Sequence, residues 1–309
     1  MNWWGTVASM TPDLPLTGST APGSADEVDA YLTARESAYP DIRPGLAKEV
    51  VWANPASRQK TPLAIVYIHG FSASKGEVRP LPDLVARALG ANLFYTRLNG
   101  HGRSGDAMAQ ASVALWQDDM REALDIAGLI GSSTLIIATS TGATLATLAL
   151  SQKLLAARVK AAVFLAPNFR IKGRAAFLLT APFAGLSARL ILGRQRSFLP
   201  VNALHAAYWT TDYPVLSLLP VASLVKQARA LRFETIRTPA LFIQSAGDQV
   251  VDARQTSTVA ARWGCSVTML DPGAIGDPHG HVVAGDALSP ETTDRLAADI
   301  IDWFNKTDQ

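Results

Sequence analysis

Short unbroken apolar runs alternate with helix-length periodic segments along most of the 309-residue chain. Leu63–Ile68 (LAIVYI) and Leu135–Ile137 are too short for helices and carry no charged residue, which predicts strands buried on both faces. Lys48–Asn54, Asn92–Leu98, Ala161–Leu165, Ala240–Ser245 and Ser266–Leu270 read as further strands. Between them, helices are expected near Ala25–Ala38, Leu81–Leu89, Val113–Ile130 and Ala253–Trp263, and after Ser140. A last helix should begin at Ser289-Pro290, an N-cap followed by proline at the first helical position, and run to Phe304. In the segment Val113–Ile130, Leu115, Met120, Leu124, Ile126 and Ile130 should face the core, with Asp118, Asp119, Glu122 and Asp125 in water. Strands separated by helix-length segments imply an α/β fold with a mostly parallel, doubly wound sheet covered on both faces. The alternation lapses from Asn168 to Arg237, an apolar, proline-punctuated stretch expected to form mostly short helices. The organisation expected is a lead (1–46), a core (47–167 and 238–309) and an insertion (168–237).

Composition narrows the class. With 48% of residues apolar and 17% charged, the chain can build a large core. A net charge of +2 without a basic run argues against nucleic acid. The single cysteine, Cys265, excludes an internal disulfide and a cysteine-based metal cage, which suits the cytoplasm. No apolar run approaches a membrane span. The opening MNWWGTVASMTPDLPLTGSTAPGS lacks the charged start and apolar core of a signal peptide and is expected to be loosely ordered. Location stays open between the cytoplasm and, had a signal segment been removed, export.

Candidate chemistry gathers around TLIIATSTGATLATLAL, Thr134–Leu150. A short apolar run, a knot of small residues at Ser140 and an alanine-rich helix fit a sharp strand–turn–helix with serine at its apex. Such a turn needs small neighbours two before and two after; here they are Ala138 and Gly142, giving A-x-S-x-G where G-x-S-x-G is usual. Small residues also crowd ordinary tight junctions, so the motif needs partners. A serine hydroxyl needs a base, and the base an orienting acid. In doubly wound hydrolases these follow in the order serine, acid, histidine, on loops at the carboxyl ends of later strands. Asp248, just past PALFIQSAG, and His281, in the glycine-rich loop after SVTMLD, satisfy that order. Asp252 is a rival acid, although it stands better placed to cap the following helix. His279 is a rival base. His279, His281 and Asp277 together suggest a metal only weakly, because no supporting cluster accompanies them. GHGRSG, Gly100–Gly105, matches G-x-G-x-x-G, but seven residues separate it from the next helix and the acids that follow lie within that helix, so it is a loop and not a dinucleotide site.

Taken together, these pieces resemble the α/β-hydrolases of the esterase and monoacylglycerol-lipase type, over roughly Pro62–Phe304. The resemblance rests on His69-Gly70-Phe71, Asn99-Gly100-His101-Gly102-Arg103-Ser104, Ser140 at its turn, Asp248 in GDQVV, and Gly280-His281-Val282-Val283. It implies an α/β-hydrolase fold with a mainly helical cap at 168–237. It also implies a triad of Ser140, Asp248 and His281, an oxyanion hole from the backbone N–H groups of Phe71 and Thr141, and no metal or other cofactor. The family pattern, an apolar pair after the base and an aspartate five residues on, favours His281, with Asp286, over His279. His69 and His101 are expected to hold the loops that frame the pocket. The activity implied is hydrolysis of a small-molecule carboxylic ester through an acyl-serine. Rivals are a peptidase of the same fold, disfavoured by the acid-poor cap, a non-catalytic binding protein, and a nicotinamide-dependent oxidoreductase.

One feature lies outside the resemblance. Between Asn168 and Thr211 the charges are Arg170, Lys172, Arg174, Arg189, Arg194 and Arg196, interleaved with Phe177, Phe183, Leu190 and other apolar residues. That pattern suits an anionic amphiphile or a membrane surface. The plainer reading, preferred here, packs the apolar residues on the core and leaves the arginines solvated.

Overall fold

The computed structural model describes residues 22–172 and 193–307. The strands are β1 (Glu49–Val51), β2 (Thr61–Ile68), β3 (Asn92–Tyr95), β4 (Gly131–Thr139), β5 (Val159–Leu165), β6 (Gln195–Ser197), β7 (Asp212–Pro214), β8 (Ala240–Ile243) and β9 (Val267–Leu270). Seven of them form one sheet in the order β1-β3-β2-β4-β5-β8-β9. Only β1, at one edge, is antiparallel to its neighbour; the other pairs in that sheet are parallel. The helices are α1 (Val28–Glu36), α2 (Leu81–Ala88), α3 (Val113–Ile130), α4 (Ser140–Leu150), α5 (Lys153–Ala156), α6 (Ala203–Tyr208), α7 (Leu218–Arg229), α8 (Ala253–Ala261) and α9 (Pro290–Thr307).

The unbroken apolar runs supply two cores at once, because successive strand residues point to opposite faces. Ala64, Val66 and Ile68 of β2 pack with Ile136 and Ala138 of β4 and Ala162 and Phe164 of β5, in a cluster shared with α1, α3, α4, α7 and α8. The alternating residues Leu63, Ile65, Tyr67, Leu135, Ile137, Val163 and Leu165 pack in a second cluster with α2 and α9. A mostly parallel doubly wound sheet is therefore present, as expected.

Three differences from the sequence reading concern side chains and short elements. Helix α3 has the expected bounds, and Ser112 Oγ accepts the Leu115 N–H at its start. Asp119 and Glu122, however, are not on its wet face. Both pair with the buried Lys48 ammonium, Asp119 at 3.3 Å, and Glu122 also accepts the Tyr31 hydroxyl. Asp119 further accepts the Asn99 N–H at 2.6 Å, which ties the loop after β3 to α3. The lead expected at 1–46 lies outside the described residues as far as 21. Beyond that it belongs to the core, since Val28, Leu32 and Leu46 are buried and Glu36 forms a two-pronged ion pair with Arg97.

The insertion leaves the sheet after β5 and returns before β8. Its described part holds the expected short helices α6 and α7, but also an antiparallel pair, β6 with β7. Strands of three residues carry too little periodicity to be read in advance. Arg194 and Arg196 are exposed, while Arg174, Arg189, Phe177, Phe183 and Leu190 lie outside the described residues. Among the described residues no helix is long and apolar enough to cross a membrane.

Candidate active site

The site is built at the carboxyl ends of β2, β4, β8 and β9. Strand β4 ends at Thr139, and α4 starts on the next residue, so the chain reverses at Ser140, whose φ of +50° lies in the left-handed region. A non-glycine residue there is strained and held by its surroundings. The Asn168 N–H donates to the Ser140 carbonyl at 3.1 Å, and Thr144 Oγ1 donates to the Asn168 carbonyl at 2.6 Å. Gly142 has no room for a side chain: a Cβ would run into the Ile68 and His69 carbonyl oxygens. Ala138 fits into the first core cluster, so alanine is tolerated at the other small position.

His281 and Asp248 arrive from the loops after β9 and β8. His281 Nε2 lies 3.0 Å from Ser140 Oγ, and its Nδ1 lies 2.8 Å from Asp248 Oδ2. Asp248 is fully buried and its carboxylate is well supplied with donors: the Val250 and Val251 N–H groups at Oδ1, and Gln244 Nε2 at Oδ2. Gln244 is itself fixed by Thr256 Oγ1, which donates to its Oε1 at 3.1 Å. Lys172 Nζ donates to the Asp248 carbonyl at 2.6 Å. Burial pushes the Asp248 carboxyl up, but the His281 hydrogen bond and charge, with the two backbone N–H groups, outweigh it and hold it below its usual range. Burial pushes His281 down, and the bond and charge of Asp248 more than reverse this, with smaller contributions from Glu77 and Asp277.

An ionised Asp248 can only accept, so Nδ1 of His281 carries the hydrogen of that bond. The neutral ring then presents the lone pair of Nε2 to the serine hydroxyl. Such a line can take a proton from the serine and return it to a leaving group.

The rival residues are elsewhere. Asp252 is the N-cap of α8, accepting the Arg254 N–H, and it faces Arg170. The His279 side chain is exposed. The Asp277 carboxylate accepts the backbone N–H groups of His279, His281 and Val282. Among the described residues no group of histidine, cysteine and carboxylate side chains could hold a metal ion.

Phe71 and Thr141 flank the serine. Thr141 is in the first turn of α4, where backbone N–H groups lack intrahelical acceptors. The loop carrying Phe71 lies against the serine, since a Cβ on Gly70 would come 3.2 Å from Ser140 Cβ. The Phe71 ring sits between His101 and Tyr213, edge to face at 5.6 and 5.3 Å. His69 accepts the Leu98 N–H at Nε2 and so donates from Nδ1 to the Gly70 carbonyl, and burial holds its pKa down at about 4. His101 donates from Nδ1 to the Asn99 carbonyl, and burial, then His69, keeps it neutral. Both therefore brace loops, as expected. Gly100 and Gly102 adopt φ of +84° and +69° in the loop that mimics a dinucleotide motif. Tyr67, Glu77, Gln244 and Tyr213 carry no sequence signal that marks them, and they reach the site only through the fold.

The solved structures it resembles share this architecture. A structure from the metagenome-derived lipolytic enzymes LipS and LipT matches with a TM-score of 0.66 and 18% identity, over 86% of this chain and 99% of that one. The monoacylglycerol lipase of Paleococcus ferrophilus matches at 0.60 and 14%, over 85% and 99%. A soluble variant of the Saccharomyces cerevisiae monoglyceride lipase, bound to a substrate analogue, matches at 0.63 and 11%, over 84% and 91%. At these identities the likeness is one of fold. By sequence, no curated protein matches the chain. The model of the serine aminopeptidase S33 family matches residues 59–271, more than half of the sequence. The chain belongs to that family, and its fold is that of the α/β-hydrolases.

Proposed function

We propose that the protein hydrolyses carboxylic esters through an acyl-Ser140 intermediate. The observation that carries this is the unbroken line from Ser140 Oγ through the His281 ring to Asp248, at 3.0 and 2.8 Å. Ser140 Oγ attacks the ester carbonyl while His281 Nε2 takes its proton. Asp248 stabilises the imidazolium and fixes its tautomer. The Phe71 and Thr141 N–H groups donate to the carbonyl oxygen as charge develops on it, and losing one such donor raises the barrier by about 3 kcal/mol. As the tetrahedral species collapses, His281 returns the proton to the departing alcohol. Water then repeats the sequence on the acyl-enzyme, giving the acid and free serine.

In the same reading, the insertion at 168–237 is a cap over the acyl side of the pocket. The Thr210 N–H donates to the Ser72 carbonyl at 2.7 Å, and Tyr213 lies against Phe71, so the inserted chain meets the loop that supplies one oxyanion donor. The family's name also raises cleavage of peptides at their N-termini. A free amine needs carboxylates to hold it, and the only acids in 168–237 are Asp212 and Glu234, of which Glu234 is engaged with Arg262. Ester hydrolysis is therefore the better reading.

The test is turnover of p-nitrophenyl esters of rising acyl length beside aminoacyl p-nitroanilides. The expected result is ester turnover with a defined chain-length optimum and little release of nitroaniline. Amide turnover at a rate matching the best ester would reverse the choice.

A further inference from the structure

Beneath the loop of Phe71 lies a carboxyl that the proton path does not use. Glu77 is buried, and its Oε2 accepts both the Gly70 N–H at 2.7 Å and the Tyr67 hydroxyl at 2.9 Å. The Tyr67 oxygen is also 3.0 Å from Thr139 Oγ1, on the residue before Ser140. Because the phenol donates to Glu77, the threonine hydroxyl donates to the phenol. One carboxyl oxygen thus joins the oxyanion loop, through the phenol of β2, to the last residue of β4.

The approach is close, and a side chain at position 70 would press on the Glu77 carboxyl. A Cβ there would lie 2.7 Å from Glu77 Oε1 as well as 3.2 Å from Ser140 Cβ, so only the Gly70 backbone separates the carboxyl from the serine. The same segment abuts the histidine loop. A Cβ on Gly285 would meet Val78 Cα at 2.5 Å and the Glu77 carbonyl at 2.9 Å, and the Asp286 N–H donates to the Arg79 carbonyl at 2.9 Å.

A buried carboxyl is costly unless its bonds require it. Burial pushes Glu77 up to about 7, against the Gly70 and Tyr67 bonds and the charge of His281, which pull it down. The titratable groups that face it are Tyr67 from β2 and His281 from the loop after β9, with Asp248 and Asp277 acting on His281 in turn. Its chain neighbours Lys75 and Arg79 turn instead to Glu49.

We propose that Glu77 is a positioning residue for this reaction: its carboxyl fastens the Gly70 N–H to Tyr67 and thereby aims the adjacent Phe71 N–H, while its charge acts on His281. The proposal rests on the ester reading above. A donor aimed at the developing oxyanion matters in the transition state, so its misalignment lowers kcat more than it changes KM.

The test compares wild type, Glu77→Ala and Glu77→Gln in p-nitrophenyl acetate hydrolysis from pH 5 to 9, with thermal unfolding as the control for folding. Glu77→Ala is expected to lose about tenfold or more in plateau kcat, with KM within about threefold. Glu77→Gln keeps an oxygen for the Gly70 N–H and is expected to recover most of that loss. It also removes a negative charge that favours the imidazolium, so its acid limb should move to lower pH. The proposal is overturned if folded Glu77→Ala matches wild type within about twofold, or if Glu77→Gln leaves the acid limb where it was. Should the alanine variant not fold, the limb of Glu77→Gln decides alone. A wild type that turns over no ester overturns the ester reading itself, and this proposal with it; an active wild type with unaltered variants overturns the proposal only.

Discussion

The Asp277 carboxylate accepts the His281 backbone N–H at 2.9 Å, and the same oxygen accepts the Val282 N–H at 2.8 Å. The Asp277 N–H in turn donates to Ser289 Oγ, whose hydroxyl donates to the Val282 carbonyl at 2.5 Å. The loop that delivers the imidazole is thus closed by its own side chains.

Asp277→Ala should leave those N–H groups without their acceptor and let His281 drift. A loss of about tenfold or more in kcat is expected, whereas His279→Ala and Asp252→Ala should each stay within about threefold of wild type. Steady-state kinetics on one ester checks all three. Large losses at His279 or Asp252 would move the assignment to those residues.

The pH profile follows from the direction of the His281 shift. Its pKa is raised, with the Asp248 bond and charge overcoming burial, and the reaction needs the neutral ring. The acid limb of kcat/KM should therefore lie above the ordinary histidine value of about 6.5, and activity should rise with pH through it. Asp248→Asn removes the charge that raises the shift, so the small residual activity should show a limb at lower pH. A limb unaffected by that substitution would assign it to another group.

A stability prediction comes from the ion pair that ties the end of α1 to the loop after β3. Arg97 grips Glu36 at 2.7 Å through both Nε and Nη2, with side chains only 4% and 9% exposed. Arg97→Ala leaves a buried carboxylate unpaired and should cost about 3–5 kcal/mol in urea unfolding. Burial raises the Glu36 pKa, but the Arg97 bond and charge outweigh it and hold it below the usual range. Stability from this pair is therefore present above the unfolded-state pKa and lost as the pH falls through the folded one. A loss under about 1 kcal/mol would mean that the pair is solvated.

How much of this could be read in advance depended on the range of the interaction. The strands of the main sheet and the bounds of α3 were legible because they follow from local periodicity. That Ser140, Asp248 and His281 would lie together was legible because serine, acid and base keep a fixed order at strand ends in the family the sequence resembles. Asp119 and Glu122 were misread because Lys48, which draws them inward, lies more than 70 residues earlier in the chain. Glu77 was illegible for the same reason: Tyr67 and Gly70 are near it in sequence, but Thr139, which joins the same network through Tyr67, and the charge of His281 come near it only in the fold. The pair of β6 and β7 was missed because three-residue strands, as in Gln195–Ser197, show no alternation.

The proposed reaction turns on Ser140 as its nucleophile. Wild type and Ser140→Ala should be treated with a fluorophosphonate, digested and mapped by mass spectrometry, beside ester turnover and thermal unfolding. The expected result is one labelled peptide containing Ser140 in wild type and no label in a folded Ser140→Ala variant. Turnover in that variant should fall by about 10⁴-fold or more, leaving only what the oxyanion donors and binding supply. A folded Ser140→Ala protein that still labels, or that keeps wild-type turnover, would contradict it.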